Sequence, residues 1–290
     1  MADRSGYQQM TALGRSRLKG KLTLLCDAKT DGSFLVHHFL SFFLKAKCKV
    51  CFVALVQSFS HYNIVGQKLG VSLTTAWERG QLVFLEALKT SLDIFFQTPA
   101  GPHPLQFLRE ASARNLQPLY AFVQEALKPE DGGEATWRHP VLLVDDLSVL
   151  LSLGVRAVAV LDFIHYCRAT VCTELKGNLV ALVHDSGDAA DEENDLLVSG
   201  LSHQSHLILR AEGLATGFCK DVHGQASPSR VIGVRAACVH SHMWIQNTGL
   251  ADSTQVHRKK AKGNTQKYCH GFSLGDFSFI LLGYFAFMFL

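Results

Sequence analysis

GKLTLLCDAKTDGSFLVHHFLSFFLKA, residues 20–46, holds a strand, a tight loop and a helix in the order of a nucleotide-binding P-loop, without the residues that grip phosphate. The apolar run Lys21–Cys26 predicts a buried strand, Asp27–Ser33 a loop, and Phe34–Ala46 an apolar-rich helix. A working P-loop reads GxxxxGK[ST]: glycine amides wrap the phosphates, a lysine neutralises them, and a hydroxyl ligates magnesium. Two registers can be laid on this chain. With Gly32 as the second glycine, the first glycine becomes Asp27, the lysine Ser33 and the hydroxyl Phe34. With Lys29 and Thr30 as the lysine and hydroxyl, the glycines become Thr23 and Ala28, so the loop would start inside the strand. Neither register suits a triphosphate. Asp27 and Asp31 also bring negative charge to the place where a helix N-terminus offers a positive end.

Outward from this stretch, apolar runs of strand length alternate with helical segments, as in a mostly parallel sheet covered on both faces. The expected strands are Leu22–Cys26, Val50–Val56, Leu82–Leu85, Val141–Val144, Leu179–His184 and Ser205–Arg210. The expected helices are Phe34–Ala46, Tyr62–Leu69, Leu105–Leu127, Leu147–Leu153, Val155–Glu174 and Glu192–Gly200. The run HPVLLVDD, His139–Asp146, has the form of a Walker B strand, apolar residues ending in acid. Asp145 and Asp146 then admit two readings. In an NTPase such acids orient magnesium and polarise the attacking water; elsewhere they cap the helix that follows a parallel strand. The absent phosphate grip favours capping. His37, His38, His61, His165 and His184 have no nucleophile at interpretable spacing, and Ser186 lacks a GxSxG elbow.

Of the 290 residues 48% are apolar and 18% charged, which fits a globular protein with a substantial core. The net charge of +3 hides an asymmetry. Residues 1–21 carry five basic residues against one acidic, and residues 226–290 seven against two, so the intervening body is acidic. An acidic body argues against nucleic-acid binding by bulk electrostatics. The first twenty residues contain no apolar core of a signal peptide, which points to a reducing compartment, cytosol or nucleus. Cys48 and Cys51 form a CxxC, but no second pair completes a zinc site, so these and Cys167 and Cys172 read as core cysteines. The acidic run Asp185–Asp195 reads as a solvated loop that caps the next helix. Beyond Gln225 no periodicity is sustained, and residues 226–290 read as a poorly ordered tail. Its last 14 residues, FSFILLGYFAFMFL, are uncharged but short of the about 20 that span a bilayer.

Five stretches carry a resemblance: Gly20–Leu40, KVCFVALVQSFSHYNIVGQKLG (Lys49–Gly70), PVLLVDDLSVLLSLG (Pro140–Gly154), VAVLDFIHYCRATVC (Val158–Cys172) and LSHQSHLILRAEGLATGFCKDVHGQ (Leu201–Gln225). Together they resemble the Elongator complex protein 6 family of vertebrates from about Gly20 to Gln225. The resemblance implies an α/β, RecA-like three-layer fold with a degenerate P-loop (Asp27, Lys29, Thr30, Gly32, Ser33) and a vestigial Walker B pair (Asp145, Asp146). It implies no catalytic residue, no cofactor and no metal. It further implies a hexameric ring with Elongator complex proteins 4 and 5, associated with the Elongator core, that binds tRNA and supports modification of wobble uridines at C5. The expected organisation is a flexible segment 1–19, a RecA-like domain 20–225 and a divergent tail 226–290, in the cytoplasm and nucleus, with no membrane expected. Loss of the family's closing strands would leave a sheet edge unpaired and weaken fold and assembly. Two other readings stand beside this one: a weak ATPase using Asp145 or Asp146, and an adaptor held at a membrane by Phe277–Leu290.

Overall fold

The computed structural model describes residues 20–28, 31–87, 89, 103–108, 115–129, 136–185, 191–213, 224–231 and 243–245. The elements are β1 (Lys21–Ala28), α1 (Ser33–Lys45), β2 (Lys49–Ala54), α2 (Phe59–Lys68), α3 (Leu73–Glu78), β3 (Leu82–Glu86), a 3-10 turn (Gln106–Leu108) and α4 (Gln117–Leu127). There follow β4 (Pro140–Val144), α5 (Ser148–Ser152), α6 (Ala157–Cys167) continued by a π-helical stretch (Arg168–Glu174), β5 (Asn178–His184), α7 (Glu192–Gln204), β6 (Leu207–Gly213), β7 (Gly224–Val231) and β8 (Met243–Ile245).

The strands form one sheet in the order β3-β2-β4-β5-β1-β6-β7-β8. The first six are parallel, and β7 and β8 add antiparallel at the β6 side. Every parallel strand is apolar on both faces because successive side chains alternate. Leu22, Leu24 and Cys26 of β1 join the core beneath α4–α7, while Leu25 joins the core beneath α1–α3. In β2 the same alternation sends Cys51 and Val53 one way and Val50, Phe52 and Ala54 the other. Two helical layers thus enclose a central sheet. The strand order places β5 between β1 and β4, so the ends of the P-loop-like strand and the Walker-B-like strand lie one strand apart at the same edge.

All six expected parallel strands are present, with ends shifted by at most three residues. Three expectations are corrected. The single helix over Leu105–Leu127 is a 3-10 turn followed by α4, which starts beside Pro118 with Asn115 Oδ1 accepting the Gln117 N–H at 2.9 Å; a proline belongs in a first turn and breaks a helix interior. The short α3 has no counterpart in the sequence reading, although Ser72 caps it by accepting the Thr75 N–H. Just past Gln225 the chain is ordered despite lacking a period, because Gly224–Val231 forms β7 against β6. Pro228, which has no N–H to donate, stands opposite Leu209 where the register shifts, and a shift of this kind accommodates proline in an inner strand.

Candidate functional site at the carboxyl edge of the sheet

In open α/β sheets ligands meet the carboxyl ends of the strands, and here that edge gathers Asp27 from β1, His184 from β5, Asp145 and Asp146 after β4, and the start of α1. Asp27 turns its carboxylate onto the helix entrance: Oδ2 accepts the Gly32 N–H at 3.0 Å, and Oδ1 lies 2.7 Å from His184 Nδ1. Asp31 completes the entrance by accepting the Ser33 N–H at 2.8 Å and the Ser33 hydroxyl at 3.0 Å. Two backbone donors at the α1 entrance, the Gly32 and Ser33 N–H groups, are therefore occupied by the chain's own carboxylates. Gly32 is required by this closeness, since a Cβ there would lie 2.8 Å from Asp27 Cβ and 3.3 Å from Leu182 Cδ1. Ser33 is bound to Asp31 and is the first residue of α1, not a phosphate-binding lysine's equivalent. Lys29 and Thr30, expected in the degenerate loop, lie outside the described residues.

The acids after β4 divide their roles. Asp146 Oδ1 accepts the Ser148 N–H at 2.8 Å from one position before the N-cap Leu147, a turn bond leading into α5. Asp145 does not cap. Its side chain, in a residue 2% exposed, turns back to β2: Oδ1 accepts the Leu55 N–H at 2.7 Å, and Oδ2 accepts the Val56 N–H at 3.0 Å and the Tyr62 hydroxyl at 2.9 Å. Asp145 is thus a clasp joining β4, the β2–α2 loop and α2. Burial raises the Asp145 carboxyl above the usual range, against the lowering effect of these donors. Burial also pushes Asp146 up to about 6, opposed by the Ser148 amide and reinforced by the negative charges of Asp27 and Asp145. The Tyr62 phenol is driven well above its ordinary value by burial and by the adjacent Asp145 charge. Phosphate approaching Gly32 would meet these carboxylates.

Several partners are invisible in the sequence because they come from different strands. The Asp27–His184 pair and the Asp145–Tyr62 bond join residues 157 and 83 positions apart. Arg210 on β6 pairs with Asp185 beyond β5, closing the same edge. His37 faces His61 and Tyr62, with ring centroids 5.4 and 4.9 Å away, and burial followed by the His61 charge lowers it to about 4. Its neighbour His38 is pushed to about 3 by burial, so both imidazoles are neutral at physiological pH. His165 lies on the outer side of α6, away from this edge. The CxxC cysteines point into opposite cores, Cys48 beneath α1–α3 and Cys51 beneath α4–α7, which is why they form no common site. Burial drives the thiols of Cys26, Cys51 and Cys172 up to about 12, leaving them protonated and unreactive. Among the described residues no three His, Cys, Asp or Glu side chains are grouped to hold a metal ion.

Two solved structures share the fold. A crystal structure of uncharacterized protein PH0321 from Pyrococcus horikoshii, in complex with an unknown peptide, superposes with a TM-score of 0.55 at 11% identity, covering 83% of this chain and 93% of that one. The flagellar accessory protein FlaH from Methanocaldococcus jannaschii gives 0.53 at 15% identity, covering 89% and 98%. With the strand order above, this likeness makes the fold RecA-like. By sequence, Elongator complex protein 6 of Homo sapiens is 82% identical over 207 residues, covering 71% of this chain and 78% of that protein. The family model described as Elongation complex protein 6 matches residues 10–237, so the likeness begins before Gly20 and passes Gln225, where the sequence reading ended it. With a matched span of this length and identity, the chain belongs to the Elongator complex protein 6 family.

Proposed function

We propose that the chain is a non-catalytic structural and regulatory subunit of the Elongator complex. In this reading it joins Elongator complex proteins 4 and 5 in a RecA-like hexameric ring that attaches to the Elongator core, binds tRNA and supports C5 modification of wobble uridines, in cytoplasm and nucleus. Family membership supports a place in the complex. The observation that carries the non-catalytic part is the occupation of the Gly32 and Ser33 N–H groups at the α1 entrance by Asp27 and Asp31, two donors that a P-loop would offer a nucleotide. With an acidic body, tRNA would be held on composite surfaces to which neighbouring subunits bring positive charge.

Co-expression with Elongator complex proteins 4 and 5, followed by size-exclusion chromatography with mass determination, tests the assembly. A stoichiometric hexamer containing this chain is expected; its exclusion while the partners assemble refutes the ring role. Calorimetric titration with magnesium and ATP tests the catalytic alternative. No heat above buffer is expected, and saturable binding together with phosphate release, both abolished by Asp146→Ala, would establish the ATPase reading instead. The membrane-adaptor alternative rests on residues 277–290, outside the described residues; among the described residues no helix is long and apolar enough to cross a membrane.

A further inference from the structure

Helices α6 and α7 run side by side in the same direction: the Ala157 N–H donates to Glu193 Oε2 at 2.6 Å, and further along Leu161 packs over Gly200, where a Cβ would lie 2.7 Å from the leucine. Val158 and Leu196 fall between these two contacts and are 50% and 46% exposed, and Leu153, just before α6, is 47% exposed. These aliphatic side chains flank a shallow furrow between two parallel helices. Exposed Asp162 stands one turn after Val158 on α6 and exposed Glu192 one turn before Leu196 on α7, and the nearby Arg156 is taken up by Glu193. We infer that the α6–α7 furrow is a docking surface for a basic amphipathic helix of a partner polypeptide.

The chemistry of the rim selects this occupant. Contiguous apolar surface edged by polar groups marks an interaction site. Carboxylates repel anionic lipid headgroups and nucleic-acid phosphates. A second copy laid on the same face would oppose acid to acid across a two-fold axis. A helix bearing leucines on one side and lysines or arginines beside them satisfies both the furrow and its rim, and two parallel helices form a groove of helical width. The assignment does not depend on the ring reading, since it concerns a face of this chain alone.

The test uses the full chain and two synthetic helical peptides of about 14 residues, four turns, one of leucine and lysine and one of leucine and glutamate. Fluorescence anisotropy is expected to show binding of the lysine peptide only. Val158→Asp or Leu196→Asp should weaken it roughly tenfold, the scale of losing an interface anchor, with an unchanged melting curve because both side chains face solvent. The paired exchange Asp162→Lys with Glu192→Lys should transfer the preference to the glutamate peptide. Glu78→Lys on α3, under the opposite face of the sheet, should leave affinity within about twofold, as expected of a distant site. Equal binding of the two peptides, or an equal loss with Glu78→Lys, overturns the inference as bulk attraction to an acidic protein. Sedimentation showing self-association that Val158→Asp abolishes overturns it in favour of a second copy.

Discussion

Asp27 contributes two charge-assisted contacts at the carboxyl edge, so Asp27→Ala is expected to cost about 2–3 kcal/mol in denaturant unfolding. The same variant should still bind no ATP, because removing one carboxylate restores neither the lysine nor the first glycine of a P-loop. Asp145 is the stricter case. Asp145→Ala leaves the Leu55 and Val56 amides and the Tyr62 hydroxyl without their acceptor, an expected loss of about 3–4 kcal/mol, whereas Tyr62→Phe removes one donor and should cost about 1 kcal/mol. A double-mutant cycle between them measures the bond itself. Asp146 carries a pH signature. Its carboxyl, raised to about 6 in the fold, favours the native state when protonated, so its contribution is present below the ordinary value and is lost as pH rises through about 6. His37 and His38 act in the other direction, losing stability as pH falls from the ordinary imidazole range towards about 4. Asp146→Asn keeps the Ser148 bond and removes the charge. It should therefore match the parent near pH 4 and exceed it by about 1–3 kcal/mol at pH 7, a difference read from paired unfolding curves across that range.

At the scale of elements, the six parallel strands and the longer helices α1, α2, α6 and α7 followed from the chain because each such strand is an apolar run and each such helix has an apolar face. The six parallel strands lie where the sequence predicts them. What the chain concealed were pairings set by topology. Nothing in the spacing of Asp27 and His184 announces their contact; it follows from β1 lying beside β5 in register, Asp27 opposite His184. Nothing in VDD separates the clasp Asp145 from the turn residue Asp146, since adjacent residues leaving a strand face different ways. The strand β7 was missed because its serines, proline and glutamine lack the alternation by which strands are recognised; its pairing with β6 supplies the reason for it. A chain ending before Gly224 should bare the β6 edge. The expected consequences are a melting temperature lowered by about 2–4 °C for each kcal/mol lost, as for a domain of this size, and faster amide exchange along Leu207–Gly213, measured by mass spectrometry against the full chain.

At the scale of the molecule, one sheet between two helical layers gives distinct surfaces. The carboxyl edge is sealed by its own acids, and the α6–α7 furrow remains open on the face over the larger core. In the proposed ring this chain would contribute through shape and surface, so changing the edge should act on assembly through stability. Asp27→Ala is expected to enter a co-expressed assembly in proportion to its folded fraction, with no separate loss when mass photometry is normalised to folded chain. A deeper deficit would assign the edge itself to a subunit contact. The Asp27 carboxylate at the α1 entrance has a further consequence. An enzyme that borrows its anion from solution is stabilised according to how much is present, by mass action, and its melting point climbs with ligand concentration. Here the anion is tethered to the backbone five residues from the amide it occupies, at an effective concentration that the cell cannot vary. The Gly32 amide is therefore satisfied from within the chain, whatever anions the surrounding solution carries.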